Sequence, residues 1–249
     1  MNMKKGSMIL ITVLMFSILI GCGSNKSEEK IPSDIKEETY EDAAPEQTET
    51  AEDQDTPDNS GVTIVWLGDS LTQGSLGHMD DNLDNAPYVK LAELSGATVE
   101  GYGYYGFTTH DILWSYTAPQ HAGQEKDPSK IYVLWCGSND WTPGGEPNTE
   151  TAGVISEMDS FLAGGNIDKY LILGTTARHE LRGSDTEPER YKIINEDLKA
   201  HYGDRFLEVN GVISTETGYV ADETHLTQES YDAVAEIVYE KLKDMGYLH

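Results

Sequence analysis

The sequence predicts an α/β fold, a parallel five-stranded sheet with helices on both faces. Three observations carry this prediction. First, five short runs read as strands: VTIVWL (62–67), ATVE (97–100), KIYVLW (130–135), KYLILG (169–174) and RFLEV (205–209). Several are apolar on consecutive residues, the pattern of strands buried on both faces. Second, helix-length stretches lie between and after them, at 86–95, 109–117, 151–163, 188–202 and 228–245. Gly96, Gly203 and Gly246 stand where those helices should stop, and Pro188 suits a first helical turn. Third, strand and helix alternate throughout, which requires crossovers and hence parallel pairing. In such sheets the functional site lies beyond the carboxyl ends of the strands, so residues just after each strand carry the most weight.

The 249 residues hold more than this domain. Residues 1–21 begin with Lys4 and Lys5, followed by a fourteen-residue apolar run from Met8. That run is too short to span a bilayer comfortably and has the form of a secretory signal. It ends in Leu19-Ile20-Gly21-Cys22, which resembles the lipobox of bacterial lipoproteins. The resemblance implies cleavage before Cys22, a diacylated Cys22, and residence on the extracytoplasmic face of a bacterial cell membrane, held by the lipid alone. A plain cleaved signal or an uncleaved anchor are the other readings. Residues 22–60 form an acidic tether, with thirteen Asp and Glu against three Lys after Cys22. Such a segment has too little apolar surface to offset its ordering entropy, and its charges repel one another. Residues 61–249 are then one domain of ordinary size. That domain has twelve Lys and Arg against thirty-one Asp and Glu, a net charge of −19. This excludes nucleic acid and anionic lipid headgroups as expected partners. Cys136 lies in an apolar run and reads as a small buried hydrophobe. With Cys22 lipidated, no disulfide within the chain is expected.

Three strand ends carry chemistry. After the first strand comes Gly68-Asp69-Ser70-Leu71-Thr72-Gln73-Gly74. A serine opening the turn after a buried strand can be an exposed nucleophile, or simply the cap of the next helix. A nucleophile needs a base, and the base an orienting acceptor. Of seven histidines only His225 has an acid three residues earlier, in Asp222-Glu-Thr-His225, between the last strand and the last helix. After the third strand comes Gly137-Ser-Asn139-Asp140. The Asn139 amide can donate to a developing oxyanion; an Asx turn is its structural alternative.

These blocks, in this order and at these strand ends, resemble the SGNH/GDSL hydrolase family over most of residues 62–245. The resemblance implies a three-layer α-β-α, flavodoxin-like architecture and a serine esterase that needs neither cofactor nor metal. It implies Ser70 as nucleophile, His225 as base and Asp222 as its orienter. The oxyanion hole would comprise the backbone N–H of Ser70 and Gly106 and the side chain of Asn139. The family's second block is altered: in Gly101-Tyr-Gly-Tyr-Tyr-Gly106, Gly101 replaces an Asn and Tyr105 a small residue. The same stretch has the spacing of a dinucleotide-binding loop. A true one follows the first strand and has an acidic residue ending the next. This one follows the second strand, and the next ends in VLWC.

The expected substrate is a carboxylic ester with a short acyl group such as acetyl, in a small molecule or an acylated glycan. The alternatives are a lysophospholipase- or lipase-type acylhydrolase and a non-catalytic surface lipoprotein binding glycan or solute. Asp69, Trp141, Arg178 and His179 are the expected substrate contacts, Trp141 as a platform for a sugar ring. Asp80, Asp81 and Asp84 read as a solvated acidic loop rather than a Ca²⁺ site.

Overall fold

A computed structural model describes residues 58–77, 83–141, 147–177 and 190–249. The signal, Cys22, all but the end of the tether, Asp80, Asp81, Pro188, Arg178 and His179 lie outside the described residues. The elements run β1 (Thr63–Asp69), α1 (Pro87–Ser95), β2 (Thr98–Tyr104), α2 (Thr109–Thr117), β3 (Ile131–Trp135), α3 (Pro147–Gly164), β4 (Tyr170–Leu173), α4 (Arg190–Tyr202), β5 (Phe206–Leu207) and α5 (Gln228–Asp244). The strands form one sheet in the order β2-β1-β3-β4-β5, with every pairing parallel. That is the flavodoxin-like order, with its switch point between β1 and β3.

Alternate residues of the same strands feed two cores. Ile64, Trp66, Val133, Trp135 and Leu171 pack on one face with Leu91 of α1 and Val234, Val238 and Leu242 of α5. Val65, Leu67, Tyr132, Leu134 and Ile172 pack on the other with α2, α3 and α4, through Ile112, Met158 and Leu198 among others. The consecutive apolar residues of the strands thus serve both layers, which makes three layers in all. Cys136 is 1 % exposed, and burial pushes its thiol well above the ordinary range. Folded contacts begin before residue 61: Asn59 donates to the Ser95 carbonyl and accepts from the His249 backbone, tying the start of the domain to its end.

Several elements differ from their expected bounds: the fifth strand shortens to Phe206–Leu207, the third helix lengthens to Pro147–Gly164, and the second strand lengthens as well. The second strand continues through Tyr104, so most of Gly101–Gly106 is strand rather than loop. Its glycines serve packing. A Cβ on Gly103 would fall on the backbone N of Gln73 in the turn after β1, and one on Gly101 on the Tyr88 ring of α1. Gly103 therefore lets the turn carrying Ser70 lie directly against β2.

Candidate active site

The turn after β1 places Ser70 at the carboxyl edge of the sheet, beside the switch point. Asp69 holds that turn: its Oδ1 accepts from the Leu71 N–H at 2.9 Å, and its carbonyl from the Gln73 N–H. The other half of the site comes from the loop before α5. There the Asp222 Oδ1 accepts from the backbone N–H of both Thr224 and His225, folding the loop so that the two side chains face each other. Glu223 takes the left-handed conformation, φ 54°, inside this turn. His225 Nδ1 lies 2.6 Å from Asp222 Oδ2, and its Nε2 lies 2.9 Å from Ser70 Oγ. The sequence separation of 155 residues between Ser70 and His225 is closed by one direct contact.

The environment fixes the roles. Ser70 and His225 are 6 % and 4 % exposed, while the Asp222 side chain keeps 35 % of its surface. Burial pushes the Asp222 carboxyl upward, but the donors from His225 and Thr224 outweigh it and hold the group below its ordinary value. An ionised Asp222 facing Nδ1 makes that nitrogen the protonated one, so Nε2 is left as the acceptor toward Ser70. Tyr105 completes the surround: its ring stacks on the His225 ring, with centroids 5.4 Å apart and planes 19° apart.

The segment 105–107 is pinned at both ends. Tyr105 lies on His225, and the Phe107 carbonyl accepts from Asn139 Nδ2 at 3.0 Å. Gly106 sits between them at φ 75°, a conformation that side chains resist. A Cβ there would meet nothing within 4 Å, so the need for glycine is conformational and not a matter of space. Asn139 Nδ2 also donates to Asp69 Oδ2 at 3.3 Å. Two oxygen acceptors fix which end of the amide is nitrogen. Both of its hydrogens are directed at protein oxygens, and the longer bond to Asp69 is the weaker one. The Asp140 carboxylate accepts from the Thr109 N–H and hydroxyl, anchoring the start of α2.

The remaining expected contacts divide. Asp69 is 1 % exposed, and its two oxygens accept from the Leu71 N–H and from Asn139 Nδ2. Trp141 has the Arg190 guanidinium 5.8 Å from its ring centre. Tyr102 and Tyr104 pack toward the core, against Tyr116 and Phe107. Asp84 is exposed in a 3-10 turn, Leu83–Asn85, and no cluster of three metal-ligating side chains occurs among the described residues. The sequence reading missed Arg190, hidden in an amphipathic helix, and the stacking of Tyr105 on His225.

Solved structures resemble this one. A lipase/acylhydrolase from Enterococcus faecalis matches with a TM-score of 0.58 at 18% identity, over 76% of this chain and 97% of that one. A member of the lipolytic protein G-D-S-L family from Veillonella parvula matches with a TM-score of 0.55 at 17% identity, over 74% and 97%. A GDSL-like lipase from Bacteroides thetaiotaomicron matches with a TM-score of 0.53 at 17% identity, over 74% and 88%. The chain shares their fold. No family model matches the sequence, and no curated protein does either.

Proposed function

We propose that this protein is a serine hydrolase of carboxylic esters of the SGNH/GDSL type, acting on short acyl groups and working through an acyl-enzyme. The observation that carries the proposal is the unbroken chain from Asp222 through His225 to Ser70, at 2.6 and 2.9 Å. His225 Nε2 takes the proton from Ser70 Oγ as that oxygen attacks the ester carbonyl, and Asp222 stabilises the imidazolium that forms. The oxyanion of the tetrahedral intermediate is held by the N–H of Ser70 and Gly106 and by Asn139, whose amide exchanges its long bond to Asp69 for the charged oxygen. His225 then gives its proton to the departing alcohol. Water repeats the sequence on the acyl-enzyme, with His225 again as base. The names carried by proteins of the same fold, lipase/acylhydrolase and GDSL-like lipase, support ester chemistry.

Fluorophosphonate labelling tests the chemistry. The reagent should attach to Ser70 and not to the Ser70→Ala protein, and acetate should be released from 4-nitrophenyl acetate only by the unaltered protein. Equal acetate release by both proteins would sink the proposal. Aryl esters of increasing chain length separate short-acyl from lipase-type hydrolysis, since the former predicts rates that fall steadily beyond acetyl. The same proposal places the enzyme on the extracytoplasmic membrane face through a lipid on Cys22, which motivates a separate measurement. Cys22→Ala should leave the membrane fraction and lose lipid labelling while retaining esterase activity; persistent labelling would refute the anchor.

A further inference from the structure

Beyond the ends of β3 and β4 lies a cavity of about 30 Å³, lined by Ser138, Trp141, Thr176, Arg190 and Tyr191 among others. Ser138, in its wall, immediately precedes Asn139, the proposed oxyanion donor. Ser138, Thr176 and Arg190 are 7 %, 3 % and 8 % exposed. Ser138 Oγ, Thr176 Oγ1 and Arg190 Nε have no hydrogen-bond partner among the described residues. Folded proteins rarely leave a buried polar atom unsatisfied, and three around one cavity leave donors for something that enters it.

The chemistry of the donors narrows what enters. All three can donate, and the two hydroxyls can also accept. The Arg190 charge is already matched by Glu150, its ion-pair partner, and both side chains are largely buried. A cavity of matched charge in a domain of net charge −19 does not favour an anion. The space is enough for a hydroxyl-sized group. Trp141 adds an aromatic wall of the kind that covers a sugar face. We infer that this cavity is a subsite for a hydroxyl of a neutral glycosyl group, the alcohol half of the ester cleaved at Ser70. The inference rests on the ester-hydrolase reading and gives it a substrate class.

The test compares two acetyl esters on the full chain, an O-acetylated methyl xyloside and 4-nitrophenyl acetate, which has no hydroxyl to offer. Ser138→Ala and Thr176→Val each remove one hydroxyl that has no partner in the fold. Each should lower the ratio of kcat/KM for the sugar ester over the aryl ester by about three- to tenfold, the worth of one hydrogen bond. Because no internal bond is lost, Thr176→Val should not lower the melting temperature. A ratio unchanged in both variants, as expected if the hydroxyls only hold water, overturns the subsite. Faster hydrolysis of an O-acetylated methyl glucuronoside than of the neutral sugar ester overturns the assignment of a neutral ligand. If the unaltered protein cleaves neither ester, the ester-hydrolase reading fails, and calorimetry then decides the cavity. Saturable binding of the acetylated xyloside that Thr176→Val weakens supports the subsite, and its absence overturns it.

Discussion

Two parts of the same sheet edge treat their polar atoms in opposite ways. Beyond β1 the groups are turned on one another: Asp222 on His225, His225 on Ser70, and Asp69 on both Leu71 and Asn139. Beyond β3 and β4, Ser138, Thr176 and Arg190 keep buried polar atoms that nothing among the described residues engages. A nucleophile and its base must be set before substrate arrives, because orientation acquired during the reaction would add to the barrier. A group that recognises substrate must keep its bonding capacity open until then. On the proposed reading the completed hydrogen bonds serve chemistry and the open atoms around the cavity serve recognition, although Thr72 Oγ1 in the turn after β1 is also buried without a partner among the described residues.

The largest effects should come from the completed side. Ser70→Ala and His225→Ala should each lower kcat by about 10⁴–10⁶, and the double variant should be little worse, since the residues act as a unit. Losses that multiply in the double variant would break the idea of a shared device. Asp222→Asn keeps an oxygen for the backbone donors but presents an amide to Nδ1, forcing the wrong tautomer. It should cost about 10⁴ in kcat with the fold intact. Steady-state kinetics beside circular dichroism checks all four proteins.

Next come the oxyanion donors. Gly106→Val and Asn139→Ala should each lower kcat by about 10²–10³, with smaller changes in KM. For Gly106 the loss arises from φ 75° and not from collision, so Gly106→Ala should share most of it even though the space is open. An alanine variant with normal kcat would show that the N–H of Gly106 takes no part. If the dinucleotide alternative held, NAD(H) would raise the melting temperature and Gly106→Val would abolish the rise.

Tyr105 lies where the two styles meet, a half-buried ring stacked on His225, the proposed base. An aromatic face favours the imidazolium by about 0.5–1 kcal/mol. Tyr105→Leu should then lower kcat about two- to fivefold, and Tyr105→Phe should restore it. A change confined to KM, or no rescue by Phe, would instead make the ring a surface for substrate.

The smallest effects concern stability, where two carboxylates should pull in opposite directions. Burial, reinforced by Asp111 and Glu157, raises the Asp140 carboxyl despite its donors from Thr109. The folded state then binds that proton more tightly than the unfolded chain. Stability from this group falls as pH rises from the ordinary carboxylate value to the raised one. Asp222 is the reverse: its lowered folded value contributes stability above the ordinary carboxylate value, and this is lost as pH falls through the lowered one. Urea midpoints across the acid range should show Asp140→Asn and Asp222→Asn changing the pH slope with opposite signs. Slopes moving in the same direction would contradict these environments.

The sequence by itself determined the layers, the strands and which residues were candidates for the triad. Apolar runs mark strands buried on both faces, and stop signals mark helix ends, because these depend on neighbours in the chain. The helix expected at 109–117 is observed at Thr109–Thr117. Ser70, Asp222 and His225 were legible because Ser70 follows directly on a strand and because a three-residue spacing in the loop before α5 pairs an acid with its histidine. Tertiary structure decided what depended on residues distant in sequence. It made Gly101 and Gly103 packing positions, since only the fold brings Tyr88 and Gln73 against them. It turned Asp69 inward to Asn139, seventy residues away, and laid Tyr105 on His225. It gathered Ser138, Thr176 and Arg190 around one cavity from three separate elements. Local periodicity reports which face a residue buries, but an unfilled hydrogen bond exists only once every potential partner has been placed.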